Sequence, residues 1–292
     1  MTITSDMVHG AGRARRALGP EALARVAEFV TARACPDGGF RGRSGQSDLY
    51  YTSFALLCLS ATSAPPTRAG EYLETFGDGK ALDLIHLGCL ARGRRLVGAP
   101  LDAVDARLAH RVQAFARGDG GFHTERSAVC SSAYGCFVAI AALQDLGVSV
   151  PRAAELAGVL ESMRTPGGGF ANTPGSPLAT TPATAAAMVA LHHLGRAAPE
   201  ETPAWLLARG AADGGFRAAP GLPAPDLLAT AVALHALAVG GVDLGSLREP
   251  GLDYLNSLWN PAGGFRAHWA DEDLDVEYAF YGLLAAGALS AK

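Results

Sequence analysis

Asp119-Gly120-Gly121-Phe122 and its four counterparts, ending at Phe40, Phe170, Phe216 and Phe265, decide how this chain is read. From Phe to Phe the spacings are 82, 48, 46 and 49 residues. Self-similarity at such a period marks a repeat architecture, in which no unit buries its apolar face alone. The first interval is nearly two periods, so it is read as hiding a sixth, degenerate unit at about residues 68–95. There Gly77-Asp78-Gly79-Lys80 replaces the turn, and Ala81 to Leu90 supplies a helix.

Each unit has one internal order. A first helix, such as Pro20 to Arg33 or Leu101 to Ala116, ends in the glycine turn, where the glycines supply positive φ cheaply. A loop follows, then a second helix: Thr52 to Leu59, Tyr134 to Leu146, Thr184 to Leu194, Thr230 to Val239 and Tyr278 to Leu289. First helices carry a charged face, with Glu21, Arg25 and Glu28 in the first unit. Second helices are apolar nearly all round, and such helices belong inside. Two concentric rings satisfy both facts. The expected fold is therefore all-α, an (α/α)6 barrel of six helix pairs, five with a Gly-Gly-Phe turn and one degenerate. Residues 20–292 form this single domain, and residues 1–19 are read as a flexible leader. Parallel inner helices would bring their N-termini together at one mouth of a central cavity.

With 292 residues, 49% hydrophobic and 18% charged, the chain has enough apolar side chain for a core and a lined cavity. A net charge of −4, with no dense Lys/Arg segment, excludes a nucleic-acid footprint. No run reaches the roughly 18 apolar residues that a spanning helix takes, so no transmembrane segment is expected. Cys35, Cys58, Cys89, Cys130 and Cys136 are odd in number and lack a C-x-x-C pair, which favours free thiols and a cytoplasmic location. Metalloprotease, P-loop, dinucleotide and α/β-hydrolase signatures are all missing.

Aligning the units on Phe puts acids at the start of several inner helices: Asp48, Asp226, and Asp275 with Glu277, with Asp83 less securely placed. As plain helix caps they need no further role; as a cluster at one mouth they are candidate acid–base groups. Aromatic residues accompany them. Tyr50, Tyr51, Tyr134, Tyr278, Tyr281 and Trp269 are candidate substrate contacts, able to face a cation with their rings, and Arg43 is the basic residue in the matching loop. His123 and His268 in the turn loops are candidate proton shuttles.

The Gly-Gly-Phe turn, the loop and an inner helix opening Asp-x-x-x-Thr-Ala, as in Asp226-Leu-Leu-Ala-Thr230-Ala231, resemble the prenyltransferase and squalene-cyclase repeat. That family includes class II terpene cyclases and protein prenyltransferase β subunits, and the resemblance covers residues 20–290. It implies an α/α toroid with an isoprenoid-sized apolar cavity. The cyclase motif Asp-x-Asp-Asp-Thr-Ala has its nearest match at Asp275-Val276-Glu277-Tyr278-Ala279, with Glu277 in the place of the proton donor. The zinc-ligand positions of protein prenyltransferases carry Asp226, Leu228 and Tyr278. Two of the three cannot bind zinc as thiolate or imidazole, so no cofactor is expected. The resemblance implies a terpene-cyclase-like enzyme acting on an isoprenoid or similar apolar small molecule, with Glu277 and Asp275 as the acid pair. A prenyltransferase β-like subunit, an apolar-ligand carrier and another acid–base reaction stay open. So does assembly as a homodimer or with a helical partner subunit.

Overall fold

The computed structural model describes residues 1–43, 45–64 and 67–290. Among them a short helix α1 (Ile3–Gly12) precedes six helix pairs. The first helices of the pairs are α2 (Arg15–Thr31), α4 (Ala69–Glu74), α6 (Ala103–Gln113), α8 (Ala153–Glu161), α10 (Glu201–Leu207) and α12 (Arg248–Leu258). The second helices are α3 (Leu49–Thr62), α5 (Leu84–Leu96), α7 (Ala133–Asp145), α9 (Thr181–His193), α11 (Leu227–Val239) and α13 (Val276–Ala288). Each second helix packs on the next in this order, and α13 packs back on α3, which closes an inner ring. Helices facing each other across the ring share no extensive contact, so its centre is not filled by helix-on-helix packing. The first helices lie outside, each against its own partner.

The apolar composition of the second helices follows from this position. Cys58, Leu57, Ala139, Leu143, Ala190, Leu234 and Leu283 are all fully buried. Every inner helix begins on a capping side chain that accepts an amide from its first turn: Asp48, Asp83, Ser132, Thr180, Asp226 and Asp275. Short polar acceptors are what an exposed helix start calls for.

The glycine turns fix how units join. In the turn at Phe216 the Phe amide donates to Thr230 Oγ1 at 2.8 Å, while the ring is buried. Phe40 and Phe170 make the same bond to Thr52 and Thr184, and Phe122 uses Cys136 Sγ at 3.3 Å. Burial of each ring contributes about 1.5–3 kcal/mol. The turn also reaches outward to the neighbouring unit. At Gly263, φ is +96°, and a side chain there would collide with the Arg25 carbonyl of α2. The last unit thereby docks on the first. Gly38 meets Arg68, Gly168 meets Glu201 and Gly214 meets Pro250 in the same sense around the ring. The degenerate unit keeps the device, with Gly79 at φ +69° against Leu108 of α6.

Residues 1–19 differ from the reading of a flexible leader. Thr2 and Ser5 form a capping box, Ile3, Met7 and Ala11 bury one face of α1, and Ala14 just beyond it is buried too. The helix lies across the C-terminal ends of the inner ring and contacts α3, α7 and α13. Thr4 Oγ1 donates to Asp145 at 2.6 Å, and the Ile3 amide donates to Gln144 at 2.9 Å. His193 approaches Asp6 at 2.8 Å without hydrogen-bond alignment. The helical spacing of those four apolar residues was present in the sequence, but it is too short a pattern to outweigh Arg13, Arg15 and Arg16. These arginines suit the carbonyl-rich helix ends nearby; Arg16 donates to the Ser290 carbonyl at 3.3 Å. Pro20 does open a helical stretch, because Gly19 breaks the run with φ of +77°.

Gly263→Ala is expected to destabilise the fold by about 2–4 kcal/mol, combining a left-handed backbone with a carbonyl clash. Gly175→Ala has φ of +75° but nothing within 4 Å, so it should cost only the backbone share, about 1 kcal/mol. Urea unfolding of both variants checks the difference; equal costs would show that ring closure does not depend on this contact.

Candidate active site

All six inner helices start at one end, so that end collects the caps and the loops leading into them. There the loop of the first unit meets the loop of the last. Arg43 holds three carboxylates: Asp271 at 2.8 Å, Asp275 at 2.9 Å and Asp273 at 3.4 Å. Asp275 is buried and uses its other oxygen to cap α13 through the Tyr278 amide. Burial pushes Asp271 up, but the Arg43 guanidinium and the Asp273 amide outweigh it and hold the carboxyl low. Arg43 therefore clasps the seam between first and last units and fixes the start of α13.

In the first turn of α13, Glu277 is half-buried and points to α3. Its Oε1 accepts a hydrogen bond from the Tyr50 hydroxyl at 2.7 Å. Burial raises the Glu277 pKa above the usual carboxylate range, and nearby Asp275 adds to this. The Tyr50 bond and the Arg43 charge pull the other way without reversing it. The group is thus kept toward its protonated form by desolvation, the same cause that operates for other carboxyls in apolar pockets.

Aromatic rings surround this carboxyl. Tyr50 packs on Phe54 at 5.0 Å between ring centroids, and Phe54 on Tyr281 at 5.6 Å. Tyr281 meets Tyr278 at 6.1 Å. Burial raises the pKa of Tyr50 and Tyr281 far enough that both phenols stay neutral. Tyr134, at the start of α7, is partly exposed, and Phe137 one turn further in is half-buried. Half-buried side chains on the first turns of the inner helices mark an accessible funnel leading inward from this mouth.

The sequence-derived candidates do not all assemble here. Glu277, Asp275, Tyr50, Tyr278, Tyr281 and Arg43 are linked by contacts or share one wall. Asp48 and Asp226 act as caps, on the amides of Tyr51 and Ala229, and neither touches Glu277. Burial raises the Asp226 pKa, with the Ala229 amide opposing. Tyr51 packs edge-on to Tyr50 at 5.6 Å and is half-buried. Trp269 is 75% exposed and lines nothing. His123 and His268 accept local backbone amides with Nδ1, which accounts for both as turn residues. Phe54, Phe137, Asp271, Asp273 and Arg92 were not picked out by the repeat alignment. The acidic run Asp271 to Asp275, facing a lone basic residue in the matching loop, was the legible signal for the clasp.

The positions compared with zinc ligands do not fit a metal. Asp226 is occupied as a cap, and Leu228 and Tyr278 offer no thiolate or imidazole. A cavity of about 960 Å³ lies at the other end of the barrel, lined by His9, Arg13, His192 and His235 beside α1. It is far from the acid and is shaped by α1 meeting the inner helix C-termini. No helix among the described residues is long and apolar enough to cross a membrane.

The architecture has known counterparts. A variant of the type II terpene cyclase MstE from Scytonema, in complex with geranylgeranyl dihydroxybenzoate, superposes with a TM-score of 0.65 at 16% identity, over 96% of this chain and 97% of that one. Candida albicans protein geranylgeranyltransferase-I complexed with GGPP gives 0.59 at 14% identity, over 98% and 82%. The ent-copalyl diphosphate synthase of Streptomyces platensis gives 0.55 at 21% identity, over 83% of this chain and 50% of that one. At these identities the likeness is one of fold. No curated protein matches the chain in sequence. The model of the prenyltransferase alpha-alpha toroid domain matches residues 12–85, 113–203 and 196–291, most of the chain. The chain belongs to the prenyltransferase alpha-alpha toroid domain family.

Proposed function

We propose that this protein is an enzyme of the terpene-cyclase kind, which starts the cyclisation or rearrangement of an isoprenoid by protonating it from Glu277. The observation that carries this reading is the Tyr50–Glu277 pair. It is a carboxyl with a raised pKa, held in one orientation, on the wall of an aromatic funnel. Cyclases and transferases of this fold handle isoprenoids, as the geranylgeranyl ligand of MstE illustrates. The missing thiolate and imidazole argue against zinc-dependent transfer.

In the proposed reaction Glu277 enters protonated. Tyr50 donates to Oε1, so the acid proton resides on Oε2 and is available to the substrate. An alkene or epoxide at the reacting end takes that proton and leaves the Glu277 carboxylate. Tyr50 then stabilises this anion through the same hydrogen bond, a contact that strengthens as charge develops. The new carbocation forms its ring bond from a neighbouring double bond, the final cation loses a proton to water, and the Glu277 carboxylate takes a proton back from solvent, which closes the cycle. Ring faces of Tyr278, Tyr281 and Phe54 can each attract the passing positive charge by about 0.5–2 kcal/mol. Asp275 and Arg43 position Glu277 and do not themselves exchange protons. An epoxide asks less of the acid than an isolated alkene, since a single glutamic acid is a weaker donor than a clustered aspartic acid.

Incubation with acyclic polyprenyl alcohols, acids and terminal epoxides, followed by mass spectrometry, should reveal cyclic products. Glu277→Gln should lower turnover by about 10²- to 10⁴-fold while apolar-ligand binding persists. Unchanged turnover in that variant would remove Glu277 from the mechanism. Bound ligand with no product in the parent protein would favour a carrier.

The pH profile carries a second expectation. Because the active form is the acid, kcat/KM should fall as pH rises through the raised Glu277 pKa. Tyr50 lowers that pKa, so Tyr50→Phe should shift the falling limb to higher pH and reduce the plateau by about tenfold. A limb that stays fixed, or moves down, would contradict the pairing.

A further inference from the structure

The third turn of α5 places a guanidinium where the ring interior is otherwise apolar. Ile85, Cys89 and Arg92 fall at i, i+4 and i+7, along one stripe of the helix. Another face looks outward, where Leu87 lies against Gly79 and Arg94 pairs with Asp105 at 2.9 Å. Helical side chains lean toward their own N-terminus, so Arg92 projects up the interior in the direction of the acidic mouth. Burial keeps the phenols of Tyr134 and Tyr281 neutral, and Arg92 is the nearby cation whose field opposes that shift at both. Its side chain reaches across to Ser53 on α3, about one helical turn below Tyr50.

Arg92 has no carboxylate in direct contact. Arg94 and Arg111 are also half-buried, and both are ion-paired. Among the described residues no carboxylate lies within ion-pair distance of Arg92. One η nitrogen reaches Ser53 Oγ at 3.4 Å, a long contact, and the buried Nε has no partner. Asp145 on α7 feels the Arg92 charge without being in hydrogen-bond or ion-pair contact with it. Its Oδ2 is taken by Thr4, and burial pushes it toward the neutral acid. A half-buried guanidinium is costly without an anion. It would also repel a carbocation formed above it.

We propose that Arg92, with Ser53, is the anchoring site for a carboxylate at one end of an isoprenoid acid, and that Glu277 addresses the other end. This deepens the cyclase reading and rests on it for the fate of the substrate, though not for binding. Arg92 is nine residues past the cap of α5, and Glu277 two past the cap of α13. Seven residues of helix set the Arg92 backbone roughly 10 Å deeper than that of Glu277, and the Arg92 side chain recovers part of that depth in reaching Ser53, so the carbon chain lies between the two groups along the aromatic wall. A single guanidinium with one hydroxyl suits a monoanion. A diphosphate would bring more charge than the one cation there can balance. Once paired, Arg92 no longer opposes a cation near Glu277.

The test is calorimetric binding of farnesoic acid and of farnesol, the same chain ending in a hydroxyl, to the full-length Glu277→Gln protein, which prevents turnover. The carboxylate is expected to bind at least about tenfold more tightly than the alcohol. Adding Arg92→Met should erase that preference while leaving farnesol affinity in place, and Arg92→Lys should retain part of it. Equal affinities, a preference that survives Arg92→Met, or no binding of either ligand would overturn the proposal. If the Met variant does not fold, the ratio in the Arg92 protein and the Lys variant still decide. An Arg92-dependent preference in a parent protein that returns farnesoic acid unchanged would support this anchor and count against the cyclase reading alone.

Discussion

Everything in this molecule depends on the head-to-tail docking of each glycine turn onto the outer helix of the next unit. The contact is directional. Gly38, Gly79, Gly120, Gly168, Gly214 and Gly263 all lie in the left-handed region and bear on the following unit, and the last of them bears on the first. Because the turn precedes the inner helix in every unit, repetition of one contact makes the inner helices parallel. Antiparallel neighbours would have scattered the caps over two ends. Here they meet at one, and the barrel acquires a chemical polarity that no single unit has.

The two ends of the ring then take opposite chemistry. The end with helix N-termini attracts carboxylates, and Asp48, Asp83, Asp226 and Asp275 sit there as caps. The end with helix C-termini attracts cations, and the junction of α1 and α2 brings Arg13, Arg15 and Arg16 to it. Glu277 is the exception that gives the first end its reactivity. It caps nothing, it has left the rim for the wall, and burial raises its pKa. Arg43 draws Asp271, Asp273 and Asp275 together at the seam and offsets part of their charge there.

Much of this was legible in the residues. The five Gly-Gly-Phe turns, and the degenerate one at Gly77 to Lys80, specify six units because two adjacent glycines before a buried Phe have few other uses. The all-round apolar second helices specify the inner ring. Position within the funnel was less legible. Asp48, Asp226, Asp275 and Glu277 all open inner helices, yet only Glu277 falls two residues beyond a cap, and that offset decides whether a carboxyl accepts amides or faces the interior. Trp269 looked like a cavity residue from its loop but stands in solvent, since loops carry no periodicity to say which way a side chain points. Arg92 was hidden for the opposite reason. It is one of several arginines near the end of α5, and only the closed ring separates the one that turns inward from Arg94, which turns out.

The central claim is that desolvation on the funnel wall, tempered by Tyr50, raises the Glu277 pKa above that of an ordinary glutamate. A carbon-13 NMR titration of protein labelled at the glutamate side-chain carboxyl, with Glu277→Gln used to assign the resonance, measures this directly and needs no substrate. The account predicts a Glu277 midpoint clearly above the reference of about 4.3, moving higher still in Tyr50→Phe. A midpoint at or below that reference would contradict it.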